Sequence, residues 1–246
     1  MTIGIMQPYI FPYIGYFQLI NSVDKFIIYD RVSFIKKGWI NRNKILLNGK
    51  DFVFSVPLKN ASSFEEINKT QIEQELYRKW IVRFLKTLKI NYANASNFSD
   101  TYGLIASVFN NEFDSISELA SNSIEQTMKY IGINTEFMTT AGKRKNPFYE
   151  IEEKMNMNEN LTATDRVISI CQSENATRYC NPIGGMSLYS KEYFAQNGID
   201  LKFIKSKNVI YNQFKNEFVP WLSIIDVMMF NTPDYIKILL TECDKI

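Results

Sequence analysis

The sequence predicts an α/β fold, with a mostly parallel, Rossmann-like sheet, a β-hairpin and a helical insert. Within the first 30 residues an apolar run, a stretch with helical spacing and a second apolar run follow one another. This βαβ pattern implies parallel strands. The same alternation of short apolar runs and amphipathic helices returns from residue 162. Between the two parts, residues 74–131 carry apolar side chains at helical spacing, which indicates the insert.

The first βαβ unit contains the unusual segment QPYIFPYIGYFQLI, residues 7–20. A buried strand is predicted over 3–6, a helix begins after Pro12, and KFIIYD at 25–30 is the second strand. Two prolines and two glutamines interrupt the segment, so it is too polar and too broken for a membrane anchor. We interpret its first half as the wall of a site at the end of the first strand, and its second half as core.

The other elements follow from periodicity and turn residues. Asn48-Gly49 predicts a two-residue hairpin turn, Asp114 a helix N-cap and Gly132 a helix stop. We expect one domain over 1–246. The predicted segments, in chain order, are a loop at 59–70, helices at 74–91, 99–109 and 114–131, a strand at 135–140, a surface loop or lid at 141–161, a capped helix at 162–173, a strand at 178–182, a glycine loop leading to a helix that stops at Gly198, a strand at 200–205, and helices at 217–229 and 232–243.

Composition excludes several classes of function. The 28 basic and 26 acidic residues give a formal charge of +2, so no global field favours DNA or an anionic membrane surface. The chain has no histidine, which removes Ser-His and Cys-His nucleophiles and histidine metal sites. Its three cysteines have no metal-ligand spacing, and their odd number favours a reducing compartment. We therefore expect a cytoplasmic protein without a metal site or membrane insertion.

Polar residues close three of the predicted strands. Gln7 follows the first strand, Asp30 follows the second, and Asn181 closes a later one. Ligands of open α/β sheets bind outside the carboxyl ends of the strands, so the three are candidate site residues. The alternative interpretation is that each one only forms a turn.

A glycine pair, Gly184-Gly185, stands between a strand and a helix. Two glycines let the backbone approach a ligand, and a helix N-terminus favours an anion such as a pyrophosphate. The pair lacks the spacing of the known nucleotide-binding motifs, so a tight turn explains it equally well.

The run KKGWINRNK at 36–44 joins cations to an aromatic residue. Arg42 suits a phosphate or carboxylate, and Trp39 suits a base or sugar ring. Lys36 and Asn41 belong to the same candidate site. A solvated basic loop is the alternative.

Asp226 lies in the apolar segment WLSIIDVMMFN, where a carboxylate is costly unless it is paired or functional. Tyr211 and Gln213 stand just upstream and are included as candidate binding residues. A buried ion pair, or a helix that turns Asp226 towards solvent, are the alternatives.

Four segments, MQPYIFPYIGYFQLI, VDKFIIYDRVSFIKKGWINRNKI, NPIGGMSLY and LSIIDVMMFN, together resemble the WbqC-like protein family, in order from residue 3 to about 231. The resemblance implies a role in the biosynthesis of bacterial O-antigen and other surface polysaccharides. It further implies transfer of an acyl or aminoacyl group, glycyl among them, to the amino group of a nucleotide-linked amino sugar.

In that hypothesis the residues have distinct roles. Asp30 or Asp226 removes a proton from the amine, and Asn181 stabilises the oxyanion together with Gln7 or backbone N–H groups. No cofactor is assigned, but an activated acyl donor is implied, as a carrier thioester, an aminoacyl-tRNA or an adenylate. An ATP-dependent adenylating enzyme and a non-catalytic scaffold of polysaccharide enzymes are the alternatives. The substrate-binding candidates are Gln7, Pro8, Tyr9, Tyr13, Lys36, Trp39, Asn41, Arg42, Gly184, Gly185, Tyr189, Tyr211 and Gln213.

Overall fold

The fold is built around one six-stranded sheet. The computed structural model describes residues 1–139, 161–215 and 217–246. The strands stand in the order β5-β2-β1-β6-β7-β8, and all neighbours are parallel except β7 and β8. The predicted mostly parallel α/β sheet is therefore confirmed. The bounds are β1 Thr2–Met6, β2 Lys25–Ile28, β5 Glu136–Met138, β6 Arg178–Pro182, β7 Asp200–Ser206 and β8 Cys243–Lys245.

Helices occupy the predicted positions with small shifts. The three long helices of the predicted insert, α2 to α4, lie between the hairpin and β5. Ser115, rather than the predicted Asp114, caps α4, because its hydroxyl accepts the Glu118 N–H while the Glu118 side chain accepts the Ser115 N–H. The bounds are α1 Ile14–Asn21, α2 Gln74–Tyr92, α3 Phe98–Asn110, α4 Ile116–Ile131, α5 Ala163–Ser173, α6 Lys191–Gln196, α7 Ile224–Phe230 and α8 Pro233–Leu240.

Alternate side chains of the strands face two separate cores. Ile3, Ile5 and Ile27 pack with α5 and α6, whereas Phe26 belongs to the larger core beneath α1 to α4, α7 and α8. Gly4 leaves room for this ring, since a Cβ there would lie 3.1 Å from Phe26. Helices on both faces explain why these strands read as continuous apolar runs.

The hairpin forms as predicted. Strands β3, Arg42–Leu47, and β4, Lys50–Ser55, pair in antiparallel register across Asn48-Gly49. Both turn residues have positive φ, 50° and 75°, which is typical of a type I′ turn.

The predicted boundaries are wrong in two places near the C-terminus. The helix predicted at 217–229 begins only at Ile224, because Pro220 and the left-handed Trp221 (φ 60°) interrupt it and Ser223 supplies the cap. The helix predicted at 232–243 ends at Leu240, and the next residues pair with the edge of the sheet as β8.

Two further predictions concern the lid at 141–161 and membrane insertion. The predicted lid at 141–161 lies outside the described residues except for its last position. Among the helices that the structure describes, none is long and apolar enough to cross a bilayer.

Candidate functional site

The residues predicted at the strand ends lie at one edge of the sheet, but Asp30 and Asn181 face different layers of helices. The Tyr29 N–H donates to the Met6 carbonyl at 2.7 Å, which brings the ends of β1 and β2 together, and β6 pairs with the other side of β1. Buried Asp30 accepts a hydrogen bond from Ser117 of α4. Asn181 instead accepts from Tyr179 at 3.1 Å, towards α5 and α6. Asp30 and Asn181 are therefore not partners in one constellation.

The loop between β1 and α1 is fixed in a strained conformation. Phe11 has φ 40° and is fully buried, a sparsely populated backbone state for a bulky residue. Its N–H donates to Ser123 of α4 at 3.0 Å, and its carbonyl accepts from Asn43 of β3 at 2.7 Å and from Ser223 at 2.6 Å. Three separate elements thus hold this loop in place.

Backbone strain is concentrated in three loops. Of the seven described non-glycine residues with positive φ, three are asparagines, which tolerate this region. The other four lie in the β1–α1 loop, in the loop before β3 and in the loop between β7 and α7: Phe11, Lys37, Phe214 and Trp221. Strained residues cluster at ligand sites, so this distribution points to the space between these loops.

That space is an apolar cleft of about 230 Å³, which we call the aromatic cleft. Trp39 and Trp221 remain 41% and 60% exposed although they line a cleft, so part of each side chain is open to a ligand. Burial raises the pKa of Tyr9 and Tyr13, so both phenols stay neutral near pH 7. The lining residues are Tyr9, Pro12, Tyr13, Trp39, Asn43 and Trp221.

A second cleft of about 260 Å³ adjoins the first. Tyr13 and Trp221 line both clefts, and their rings meet edge to face with centroids 6.1 Å apart. Beyond them the second cleft is lined by Lys207, Tyr211 and other residues of the β7–α7 loop. We call it the Tyr211 cleft. The two clefts lie at the carboxyl ends of β1 and β7, where open α/β sheets bind ligands.

Arg42 and Asn41 hold the wall of the aromatic cleft. The Arg42 guanidinium donates to the carbonyls of Lys37 and Gly38, at 2.8 Å to Gly38, and lies 5.4 Å from the centre of the Trp39 ring. Asn41 donates to Ser55 and to the Val56 carbonyl. Both side chains therefore fix the loop that carries Trp39, and exposed Lys36 does not line the cleft.

Asp226 lies behind the Tyr211 cleft and is fully buried. It accepts hydrogen bonds from the hydroxyls of Tyr92 at 2.7 Å and Tyr211 at 2.6 Å and from the Gln213 amide at 2.7 Å. Burial raises the pKa of Asp226, and the three hydrogen bonds oppose that shift. Asp226 does not line the cleft itself, whereas its hydrogen-bond partner Tyr211 does.

Gln213 closes the loop instead of facing the cleft. It is 2% exposed, its amide oxygen accepts the Val219 N–H at 2.7 Å, and its amide nitrogen donates to the Val219 carbonyl and to Asp226. These contacts join Gln213 to Val219 and to Asp226.

The glycine pair belongs to a different place. A Cβ on Gly185 would lie 1.8 Å from the Asn181 amide nitrogen, so the turn requires glycine there, whereas Gly184 faces open space. The Tyr189 ring packs edge to face against Tyr179 at 6.0 Å. These residues lie on the α5 and α6 side and none of them lines the aromatic cleft.

A third cleft, of about 570 Å³, lies beside α4 and is distinctly acidic. Of the described side chains that line it, five are carboxylates and none is basic. We call it the acidic cleft. Its lining residues are Asp30, Glu112, Phe113, Asp114, Ser117, Glu118, Ser121, Asn122, Glu125 and Thr139.

Sequence reasoning missed three residues of the aromatic cleft, of which Pro12 was predicted only as the start of a helix. Trp221 was assigned to the interior of a helix, although Pro220 directly before it was a signal for a loop. Asn41 was predicted as a site residue and Asn43, in the same run, was not, because a single sequence gives no signal for choosing between them.

A parallel sheet with helices on both faces and clefts at its strand ends defines an α/β protein of Rossmann-like architecture. The chain belongs to the WbqC-like protein family, whose family model matches residues 7–238. It is similar to a protein of Mycobacterium tuberculosis (strain ATCC 25618 / H37Rv) described as "Uncharacterized protein Rv1507c", with 27% identity over 242 residues, covering 96% of this chain and 97% of that protein. No solved structure matches the chain.

Proposed function

We propose that this protein binds a nucleotide-linked amino sugar in the aromatic cleft and transfers an acyl or aminoacyl group to its amino group, in the biosynthesis of surface-polysaccharide precursors. The observation that carries the proposal is the pair of half-exposed tryptophans held over one cleft by strained, clamped loops. Exposed indole faces bind sugar and base rings by stacking, and each stacked base contributes about 1–3 kcal/mol.

The two adjoining clefts fit the two parts of such a ligand. A planar base suits the space between Trp39 and Trp221, which is apolar apart from Asn43. The Tyr211 cleft offers polar groups and one cation, Lys207, on its far side. A ligand that crosses the Tyr13–Trp221 boundary reaches both clefts.

The proposed reaction forms one C–N bond and breaks one acyl bond. The sugar amine, as the free base, attacks the acyl carbonyl carbon of the activated donor. The tetrahedral intermediate then expels the donor's thiol, hydroxyl or phosphate group. The nitrogen loses one proton, which leaves with the departing group or passes to a base on the protein.

Tyr211 is the group that we assign to that proton. Its hydroxyl accepts a proton from the amine while its own proton passes to Asp226, 2.6 Å away. Because burial raises the pKa of Asp226, this carboxylate holds a proton better than an exposed one does. Asp226 thus acts through Tyr211 as a positioning residue. Asp30 lines the acidic cleft and neither of the other two, so we favour Tyr211 and Asp226 over it.

The test combines purified protein, TDP-linked amino sugars and three donors in turn: an acyl thioester, an aminoacyl-tRNA, or ATP with a small acid. Mass spectrometry is expected to find the sugar nucleotide heavier by one acyl group. Trp39→Ala should reduce its formation, and Phe64→Ala, which truncates an exposed aromatic remote from the clefts, should not.

Two results would contradict the proposal. Absence of product together with absence of nucleotide-sugar binding by calorimetry would rule out the substrate class. ATP-dependent release of pyrophosphate without any sugar would instead indicate an adenylating enzyme.

A further inference from the structure

In the described part of the chain, the charged side chains that line the acidic cleft are carboxylates. Asp30, Glu112, Asp114, Glu118 and Glu125 line it, and no lysine or arginine of the described chain does so. Lys129 pairs with Glu125 at 3.0 Å, one turn along α4, but is not a lining residue. Carboxylates that share a cleft raise one another's energy, and a cation in the cleft relieves that repulsion.

The serines of α4 show that the cleft has a free hydrogen-bonding group. Ser123 and Thr127 donate to carbonyls of their own helix at 2.7 Å, and Ser117 donates to Asp30. Ser121 is only 7% exposed and lines the cleft, and its hydroxyl has no hydrogen-bond partner in the part of the chain that the structure describes. A buried polar atom without a partner is rare in folded proteins, and an absent ligand is one explanation.

A second buried polar side-chain atom belongs to the residue next to Ser121. Asn122 also lines the cleft, and its side-chain oxygen is buried and has no hydrogen-bond partner among the described residues. This amide oxygen only accepts hydrogen bonds, and the Ser121 oxygen accepts them as well. The free groups and the carboxylates together therefore require a ligand that donates hydrogen bonds and carries positive charge.

The dimensions argue against a single metal ion. No three acidic side chains of the described residues converge closely enough to hold one metal ion. A cleft of about 570 Å³ is also far larger than one ion requires. An organic ligand with ammonium groups fits both observations, because each ammonium offers three donors.

We propose that the acidic cleft is a binding site for an organic cation with primary ammonium groups, of the size of a short diamine. This site goes beyond the proposed transferase function, because the acidic cleft shares no lining residue with the aromatic cleft or the Tyr211 cleft. One ammonium donates hydrogen bonds to the side-chain oxygens of Ser121 and Asn122. The second lies towards Glu112 and Asp114, which are exposed at the rim. Glu118 contributes less, since its carboxylate already accepts the N–H groups of Asp114 and Ser115.

Isothermal titration calorimetry with putrescine at low ionic strength tests the site. Saturable binding to the wild-type protein is expected, with about tenfold weaker binding in Ser121→Ala and in Asp114→Asn, the change expected for a lost charge-assisted hydrogen bond. Glu75→Gln is the matched control, because it removes an exposed carboxylate of α2 that lies outside the cleft. Butane-1,4-diol, which is similar in length but neutral, should not bind.

Three outcomes would overturn the proposal: absence of saturable putrescine binding, putrescine binding that neither cleft variant weakens, and displacement of putrescine by an equimolar amount of Mg²⁺. Ser121→Ala is expected to fold normally, since its hydroxyl makes no hydrogen bond, and circular dichroism checks this. Binding of a nucleotide sugar, followed by tryptophan fluorescence, should be unchanged in both variants. Failure of the acidic site is therefore distinguishable from failure of the proposed transferase function.

Discussion

The aromatic cleft and the acidic cleft are built in opposite ways. Loops with left-handed residues such as Phe11 and Trp221 form the aromatic cleft, and buried polar side chains hold them in place. The acidic cleft is lined largely by α4, a regular helix with a capping box. Aromatic rings are held in an orientation suited to stacking only if the backbone that carries them is fixed. Carboxylates on a helix need only the correct spacing along that helix to face one cleft.

Helix α4 connects the two regions through neighbouring positions. The hydroxyl of Ser123 accepts the Phe11 N–H and so supports the loop of the aromatic cleft. Ser121, two residues earlier, has no partner and lines the acidic cleft. A buried hydroxyl with a hydrogen-bond partner therefore contributes to stability, whereas a buried hydroxyl without one remains available to a ligand.

The largest change in stability is expected for Asp226→Asn. The amide nitrogen faces donors where the carboxylate accepted hydrogen bonds from Tyr92, Tyr211 and Gln213, so at least one donor loses its acceptor. The free energy of unfolding should fall by about 2–3 kcal/mol, measured by urea denaturation. Asp234→Asn, an exposed acid of α8, is the control. An equal effect in both variants would show that the buried cluster does not support the Tyr211 cleft.

The difference in stability between wild type and Asp226→Asn is also expected to depend on pH. Burial raises the pKa of Asp226, so folding favours the protonated carboxyl. The stability that this group contributes is complete below the pKa of an unfolded aspartate, about 4, and is lost as pH rises through the higher folded-state value. Asparagine does not titrate. The stability gap between wild type and Asp226→Asn should therefore narrow as the pH rises above about 4, and a widening gap would contradict the raised pKa.

The two serines of α4 give the sharpest comparison. Ser123→Ala leaves the buried Phe11 N–H without an acceptor and should lower the free energy of unfolding by about 1–3 kcal/mol. Ser121→Ala removes a hydroxyl without a partner and should change it by less than about 0.5 kcal/mol. Thermal or urea unfolding of both variants measures the difference. Equal losses would remove the distinction between a supporting and an available hydroxyl.

The smallest effect on ligand binding is expected for Arg42→Ala. Because Arg42 holds the Trp39 loop through the Lys37 and Gly38 carbonyls, its loss should weaken ligand binding indirectly, by about 0.5–1 kcal/mol. The same weakening should appear for a nucleoside and for a nucleoside diphosphate sugar in fluorescence titrations. A loss confined to the phosphate-bearing ligand, and strongly reduced by salt, would instead show that Arg42 binds the phosphates.

The sheet was predictable because its signals are local. The apolar runs at β1, β2 and β6, the Asn48-Gly49 turn and the left-handed Gly132 and Gly198 each follow from the chemistry of a few neighbouring residues. The family was recognisable from ordered motifs in the same way. In each case the pattern and its cause lie within one stretch of chain.

The aromatic cleft was only partly predictable, because it depends on distant contacts. Tyr9 and Tyr13 were predicted from the segment that follows the first strand, and Trp39 from the basic run at 36–44. The clamp on Phe11 joins residues more than 30 positions apart, and periodicity does not report such pairs. Trp221 was missed because the apolar residues Leu222 to Met229 that follow it give the whole segment the pattern of an apolar helix. Trp221 itself lies in a strained loop.

The most direct test of the aromatic cleft is a tryptophan fluorescence titration with a TDP-linked amino sugar, using wild type, Trp39→Ala, Trp221→Ala and the control Phe64→Ala. Saturable quenching is predicted for wild type and the control. Each tryptophan variant should bind about fivefold to a hundredfold more weakly, as expected for one lost stacking contact. Equal affinities in all four proteins, or no saturable change in wild type, would contradict the assignment of this cleft as the ligand site.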